Sequence, residues 1–256
     1  MNIDWRNWWL PPNISTHGAD IDNIIIILQW LMVVLFVGWG LFMILALVKF
    51  RARPGHKANP VGVTTHVSTY LEIGVAVAEV IILVGLSIPV WAELKGDPPT
   101  PEKADVVVRV VGEQFAWNVH YPGPDGKFGR TDIGLAGQSN PLGLDSDDPA
   151  AADDVTTINQ LHFPVGKQVL VHLSAKDVIH SFSLPTLRVK QDAVPGMTVP
   201  VWFEAVETGK GEIACAQLCG LGHYRMKGFY TVESPQEFAA WMAEQAEAGS
   251  FEDDYY

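Results

Sequence analysis

Only two cysteines occur in the 256 residues, four apart at positions 215 and 219. They can close one bridge at most, which excludes a disulfide-dense scaffold. Charge is also scarce: Asp, Glu, Lys and Arg make up 18% of the chain, while apolar types make up 48%. Such a composition folds, which excludes wholesale disorder. Positive charge is the scarcer sign, with 17 Lys and Arg against 29 Asp and Glu, for a formal net charge of −12. An acidic chain repels phosphate, so nucleic acid is not an expected partner. There are no internal repeats and no CxxCH segment, so no attached c-type haem is expected.

The charges divide the chain. Residues 1–95 hold six Lys or Arg and six Asp or Glu, so the whole −12 belongs to residues 96–256. Within the first part, Ile24 to Val48 carries no charge, and Gln29 is its only strongly polar side chain. As a helix it spans about 37 Å, enough to cross a hydrocarbon core of about 30 Å with some tilt. A second apolar run, Leu71 to Trp91, reaches about 31 Å. Trp30 and Trp91 sit near the run ends, where amphipathic rings favour the interface. Lys49-Phe50-Arg51-Ala52-Arg53 is a stop-transfer pattern and not a cleavage site, and no cleavable leader is expected before Ile24. The first part therefore reads as a transmembrane hairpin with helices at about 24–48 and 71–91. The loop carries Lys49, Arg51, Arg53 and Lys57 without an acid, while the N-terminal segment sets Arg6 against Asp4, Asp20 and Asp22. The positive-inside rule then puts the loop in the cytoplasm and both termini on the far side, in the periplasm of a bacterial inner membrane.

Glu72 and Glu79 interrupt the second run. Carboxylates are expensive in a bilayer and suggest function by default. Seven residues apart, they share one helix face, which must meet another subunit or a wet cavity. Two plainer readings stand beside this: Glu72 marks a helix end, and Glu79 is a buried carboxyl bonded to a neighbouring helix.

After the linker Gly96-Asp97-Pro98-Pro99-Thr100-Pro101, the pattern changes to short apolar runs: Val106 to Val111, Lys167 to Leu173, Val199 to Ala205 and Gly228 to Val232. Short strands separated by turn signals predict a sandwich or barrel. Pro122 to Asp154, rich in Gly, Pro, Asp and Ser, reads as a long acidic excursion between two strands, with its acids solvated. Ser234 as N-cap and Glu237 three residues on predict a C-terminal helix followed by an acidic tail, over 234–256.

Both cysteines fall in Cys215-Ala216-Gln217-Leu218-Cys219-Gly220-Leu221-Gly222-His223-Tyr224-Arg225-Met226, with spacing C-x3-C-x3-H-x2-M. Two thiols, an imidazole and a thioether form a soft set that suits copper. The thioether and the C-x3-C spacing argue against zinc. Cysteines four apart can bridge two metals, which leaves a second imidazole to be found among His120, His162, His172 and His180. His180 is the best choice, since it follows Val178-Ile179 and opens a turn through Ser181-Phe182-Ser183-Leu184-Pro185. The plainer alternatives are a Cys215–Cys219 disulfide with His223 and Met226 in the core, and ordinary surface or hydrogen-bonded roles for His120, His162 and His172.

This loop resembles the dinuclear copper (CuA) loop of subunit II of haem–copper cytochrome c oxidases. The segments Asp177-Val178-Ile179-His180-Ser181-Phe182 and Lys190-Gln191-Asp192-Ala193-Val194-Pro195-Gly196 resemble the same family, as does Leu71-Glu72-Ile73 in the hairpin. The resemblance covers about residues 20–235. It implies a membrane-anchored all-β protein: a two-helix hairpin followed by an extracytoplasmic cupredoxin-like Greek-key β-barrel over 96–233. It also implies a copper pair held by His180, Cys215, the Gln217 main-chain oxygen, Cys219, His223 and Met226, with both cysteines bridging. By the same resemblance, Phe115 and Trp117 form the patch where electrons enter, Glu72 stands at a proton-uptake path, and Lys190 and Asp192 face subunit I; Glu79, on the same helix face as Glu72, is a further candidate for proton entry from its position alone.

Several positions depart from the family pattern. Gln217 replaces an acid that reaches a magnesium ion at the boundary with subunit I, which puts that magnesium site in doubt. Phe115 stands where Trp is common, Lys176 where an acid helps dock cytochrome c, and Met197 where Arg is usual. Glu79 has no counterpart in the common pattern. The implied function is the electron-accepting subunit of a terminal oxidase. It would take electrons from a c-type cytochrome or similar periplasmic donor and pass them to haem in subunit I, where oxygen is reduced to water with proton translocation. The chain itself would do no bond chemistry. Its partners would be subunit I, other oxidase subunits, the donor and membrane lipid. The alternatives are the corresponding subunit of a copper-containing nitric oxide reductase and a membrane-tethered copper carrier. Nitrous oxide reductase needs a further large domain, and a quinol oxidase subunit lacks the ligands.

Overall fold

The computed structural model describes residues 9–55, 57, 61–62, 64–96 and 98–248. Asp4, Arg6, Asp97 and the acidic tail over 249–256 lie outside the described residues. The chain divides into two compact units, Met1–Trp8 with Asp20–Gly96, and Trp9–Ala19 with Asp97–Tyr256.

The first unit is helical. Helix α1 runs Gly18–Phe50, longer than the uncharged run at both ends, with Asp20 in its first turn and Lys49 in its last. Each charge matches the helix dipole at its end. Helix α2 runs Val67–Ile82 and passes through a π-type segment, Leu83–Ser87, into α3, Ile88–Lys95. The widened turn falls just before Pro89, whose ring cannot donate the next helical hydrogen bond. Together α2 and α3 form one apolar rod of 29 residues, and α1 is one of 33. Large side chains along both stand exposed, including Phe36, Leu47, Leu71 and Trp91. Apolar faces this long are not stable against water, so the rods anchor the chain in a membrane.

The second unit is a β-sandwich of two five-stranded sheets. Its strands are β1 Val106–Glu113, β2 Ala116–Tyr121, β3 Val155–Ile158, β4 Gln160–Pro164, β5 Gln168–Ala175, β6 His180–Leu184, β7 Val189–Ala193, β8 Val199–Glu204, β9 Gly209–Cys215 and β10 Lys227–Glu233. The first sheet has the order β3-β2-β1-β5-β8 and the second β4-β10-β9-β6-β7. Pairing is antiparallel except between β1 and β5 and between β4 and β10. Alternate residues of β1, Val108 and Val110, point into the core with Trp117, Val119, Phe163, Phe182 and Phe203. The segment predicted as a turn after His180 is instead strand β6, buried over His180, Ser181, Phe182 and Leu184. Held between two neighbours and covered on both faces, it lacks the alternation that marks half-exposed strands.

The 122–154 excursion connects β2 to β3 and carries two short 3-10 turns and two isolated bridges, Thr131 with Leu144 and Gly137 with Asn140. Its acids are not simply solvated. Asp153 accepts from Asp125 N, Asp148 from Arg130 N and Asp132 from Gly134 N, so carboxylates replace ladder partners for a backbone without strands. Arg130 pairs with Asp145. Asp154 is buried, and its Oδ2 accepts from His120 Nε2 at 2.6 Å and from Gly129 N at 2.8 Å.

Helix α4, Pro235–Ala248, begins with a reciprocal cap: Glu237 Oε2 accepts from Ser234 N at 2.9 Å and Ser234 Oγ accepts from Glu237 N at 3.3 Å. Trp241 stacks on His162 at 4.1 Å between ring centroids and meets Tyr121 edge-on. Replacing Trp241 by Ala should cost about 2 kcal/mol, less than for a fully buried aromatic, and should detach α4; chemical denaturation and circular dichroism would read this.

Burial pushes the His120 imidazole down, against the pull of Asp154, and pushes His162 down, against Glu233. Unfolded, each titrates near about 6.5, whereas the folded rings resist the proton. Acidification below that range loads protons onto the unfolded chain first, so stability should be kept above it and fall below it. Each such proton is worth at most about 1.4 kcal/mol per pH unit. Melting curves between pH 7 and 5 should show the decline, and a His120→Gln, His162→Gln double variant should flatten it.

Candidate metal centre

Three elements bring the predicted ligands together. Strand β6 opens with His180, β9 ends with Cys215, and the loop between β9 and β10 supplies Gln217, Cys219, His223 and Met226. The seam between β6 and β9 pairs Phe182 with Cys215 and Ser183 with Ala214. Ala216 N extends it by donating to Ser181 O at 2.9 Å. The loop then turns back on itself: His223 N donates to Gly220 O at 3.1 Å, and Met226 N donates to Gly222 O at 3.1 Å. Gly220 sits at φ 132°, open to few side-chain-bearing residues. Gly112 of β1 lies so close to His180 that a Cβ there would stand 3.0 Å from the ring.

The donor atoms converge. Cys215 Sγ is 3.7 Å from Cys219 Sγ and 3.2 Å from Gln217 O. Cys219 Sγ is 3.7 Å from His223 Nδ1 and 3.6 Å from Met226 Sδ. His180 Nδ1 is 3.2 Å from Met226 Sδ and 4.0 Å from Cys215 Sγ. His180, Cys215 and Cys219 alone form a group able to hold a metal ion, with ligand atoms within 4.8 Å of one another. Both cysteines are free thiols, so the disulfide alternative is not realised. Burial, and then the neighbouring Cys215, pushes the Cys219 thiol up to about 11. The buried Cys219 thiol therefore favours its protonated form, and a bound cation would displace that proton. Soft sulfur and imidazole donors in a walled site suit copper.

Two residues beside this set carry roles that the motif did not reveal. Asp177 Oδ1 accepts from His180 Nε2 at 2.9 Å, which leaves the Nδ1 lone pair for the sulfur side. Its Oδ2 accepts from Gln114 N at 2.8 Å. Partial burial raises Asp177, but hydrogen bonds from His180, Gln114 N and Val178 N outweigh it and hold the carboxyl below its usual range. Gln114 Nε2 in turn donates to Cys219 O at 2.6 Å, tying the β1–β2 turn to the loop. The legible signal was an acid three residues before a candidate ligand histidine.

The remaining sequence candidates are spread out. Trp117 offers no surface to a donor: it is wholly buried, with its ring edge-on to His180 at 6.0 Å and to Phe182 at 5.5 Å. Strand β2 is buried from Trp117 to Tyr121, and of the expected aromatic patch only Phe115 is half-buried, against Gly220 and Gly222. Exposed Leu218, Leu221 and Tyr224 surround the loop instead. Lys190 and Asp192 project outward from β7. Met197 is exposed, and Lys176 pairs with Glu113 at 2.8 Å. His120 is bonded to Asp154, and His162 Nδ1 to Glu233 at 3.1 Å, as hydrogen-bonded residues and not ligands. Glu72 and Glu79 lie on α2, in the other unit.

A family model described as "Cytochrome C oxidase subunit II, periplasmic domain" matches residues 106–232. The "Alternative cytochrome c oxidase subunit 2" of Bradyrhizobium diazoefficiens is 34% identical over 239 residues, which is 93% of this chain and 84% of that protein. The "Cytochrome c oxidase subunit 2" of Cereibacter sphaeroides is 35% identical over 198 residues, covering 71% of this chain and 62% of its own length. Among solved structures, the periplasmic domain of subunit II of cytochrome oxidase (CoxB) of Bradyrhizobium japonicum is 31% identical. It covers 59% of this chain and 99% of its own, at a TM-score of 0.44.

Removing the Asp177 carboxylate should loosen the centre without touching a ligand. Asp177→Ala is expected to lower copper affinity by about 10- to 100-fold in a chelator competition, with the fold retained. An unchanged affinity would show that His180 needs no such partner.

Proposed function

The chain belongs to the cytochrome c oxidase subunit II family, and we propose that it is the subunit at which electrons enter a haem–copper oxidase complex. The observation that carries this reading is the convergence of His180, Cys215, Gln217 O, Cys219, His223 and Met226 on one walled spot. These residues would hold a dinuclear copper centre, with Cys215 and Cys219 shared between the two ions. When bound, that centre supplies a one-electron store between a c-type cytochrome or similar periplasmic donor and the haem of subunit I, where oxygen is reduced to water with proton translocation.

The residues of this chain serve that role by holding still. His180 keeps one tautomer because Asp177 accepts only from a protonated Nε2. Trp117 and Phe182 exclude water from the His180 side. Backbone hydrogen bonds within the loop fix where the sulfurs stand, so their arrangement changes little between charge states. Leu218, Leu221 and Tyr224 form an exposed apolar rim that suits contact with a partner, and Phe115 lies beneath it against the loop glycines. The acidic outer unit steers a basic donor toward that rim. Lys190 and Asp192 would face subunit I.

In the membrane, Glu72 is assigned to proton uptake and Glu79 to a supporting position on the same face of α2. The loop cations support a cytoplasmic helix connection, with both termini and the metal domain on the periplasmic side of a bacterial inner membrane. Gln217 presents its carbonyl to Cys215 and offers no carboxylate for magnesium.

Two measurements test the assignment in the purified oxidase complex. Cys219→Ser should abolish the mixed-valence copper absorption while the complex still assembles; a surviving absorption would remove the bridging role. Glu72→Ala should slow the proton-coupled steps of turnover and leave the copper spectrum intact, and unchanged turnover would remove Glu72 from proton uptake.

A further inference from the structure

The outer face of the first sheet, beneath the 122–154 excursion, encloses an open cavity of about 690 Å³ that none of the roles above uses. Three basic side chains meet there in one row. The β1 residue Arg109 pairs in register with His120 of β2 on one side and His172 of β5 on the other. All three line the cavity, with the hydroxyls of Ser174 and Thr131 close by. His120 is hydrogen-bonded to Asp154, whose charge also acts on Arg109. Among the described residues, the Arg109 guanidinium makes no hydrogen bond, and it stacks on Phe128 with its central carbon 4.0 Å from the ring centroid. Neither nitrogen of the half-buried His172 ring has one either. A half-buried guanidinium normally finds an acceptor, because its five donors are costly to leave unmade.

We propose that this cavity binds an organic monoanion with an apolar body, its carboxylate or phosphodiester head taken by Arg109 and His172. The volume lies within the range of small-molecule sites, about 300–1,000 Å³. Stacking on Phe128 presents the guanidinium edge, the geometry that accepts two anion oxygens. Burial, and then the charge of Arg109, pushes His172 down, as expected in a locally positive recess. The walls beyond the head are apolar, with Val107, Val111, Leu142 and the exposed Ile133, and these select a ligand with an apolar body. The surroundings select a single negative charge. Asp154 and Glu113 stand near the cavity, and the whole chain carries −12, so a multiply charged anion is repelled before it reaches the donors. Lys176 adds little, since Glu113 Oε2 and Pro141 O already accept from it.

The test uses the full chain in phosphatidylcholine nanodiscs, dialysed against octanoate, with inorganic phosphate as a head without a body. Octanoate should bind saturably and phosphate should not. Arg109→Gln should weaken octanoate by about tenfold or more, with partial recovery in Arg109→Lys. If Arg109→Gln does not fold, Ser174→Phe, which fills the cavity from β5, carries the same comparison. Adding phosphatidylglycerol separates the sources of the ligand. Weakened octanoate binding assigns the site to a lipid phosphodiester, and unchanged binding to a free carboxylate. Absence of saturable octanoate binding, or undiminished binding in the folded variants, overturns the proposal.

Discussion

The seam between β6 and β9 is the constraint on which the rest of the metal centre depends. Two residue pairs and one further backbone hydrogen bond join these strands. That short seam places His180 beside Cys215, 35 residues further along the chain, with no contribution from either side chain. The loop that follows is pinned at both ends, since β9 and β10 are neighbours in the same sheet. The ligand atoms are therefore positioned by backbone that the sandwich has already fixed. This is the arrangement an electron carrier requires, because atoms that do not move cost little to reorganise.

The same sandwich decides what its polar residues do. Asp177 and Gln114 form a chain of hydrogen bonds from His180 through the β1–β2 turn to the Cys219 carbonyl. The centre is thus braced from the first sheet as well as the second. On the outer face of the first sheet, Arg109 and His172 share a cavity with Phe128, Ile133 and Leu142 of the excursion, whose backbone is held by aspartates. Those carboxylates satisfy backbone N–H groups that would otherwise need a strand. Part of the −12 is in this way structural, since it folds a loop above Arg109 and His172.

Much of the architecture was readable in advance. The uncharged runs and the stop-transfer cations predict the two membrane helices, since a lipid-facing helix needs little beyond length and apolarity to declare itself. Strands β1, β5, β8 and β10 alternate, or are rich in branched residues, and were visible for that reason. Strand β6 read as a turn because it is covered on both faces, so its Ser-Phe-Ser pattern carries no half-exposed signature. Trp117 read as part of an aromatic patch with no sign of its burial, because a lone aromatic does not say which way its strand faces. The excursion acids read as solvated because their partners are backbone groups that no sequence displays.

The sequence by itself determined the membrane anchors, the acidic outer unit and the kinds of ligand, because each rests on composition or on spacing within a dozen residues. Tertiary structure brought His180, already the best candidate in the sequence, to the cysteines, and alone decided that Asp177 orients it, that Trp117 is buried, and that Arg109 and His172 share a cavity. Each of these depends on strand register and burial between segments far apart in the chain. Such pairings arise only once the two sheets close on a common core, which fixes distances that local pattern leaves free.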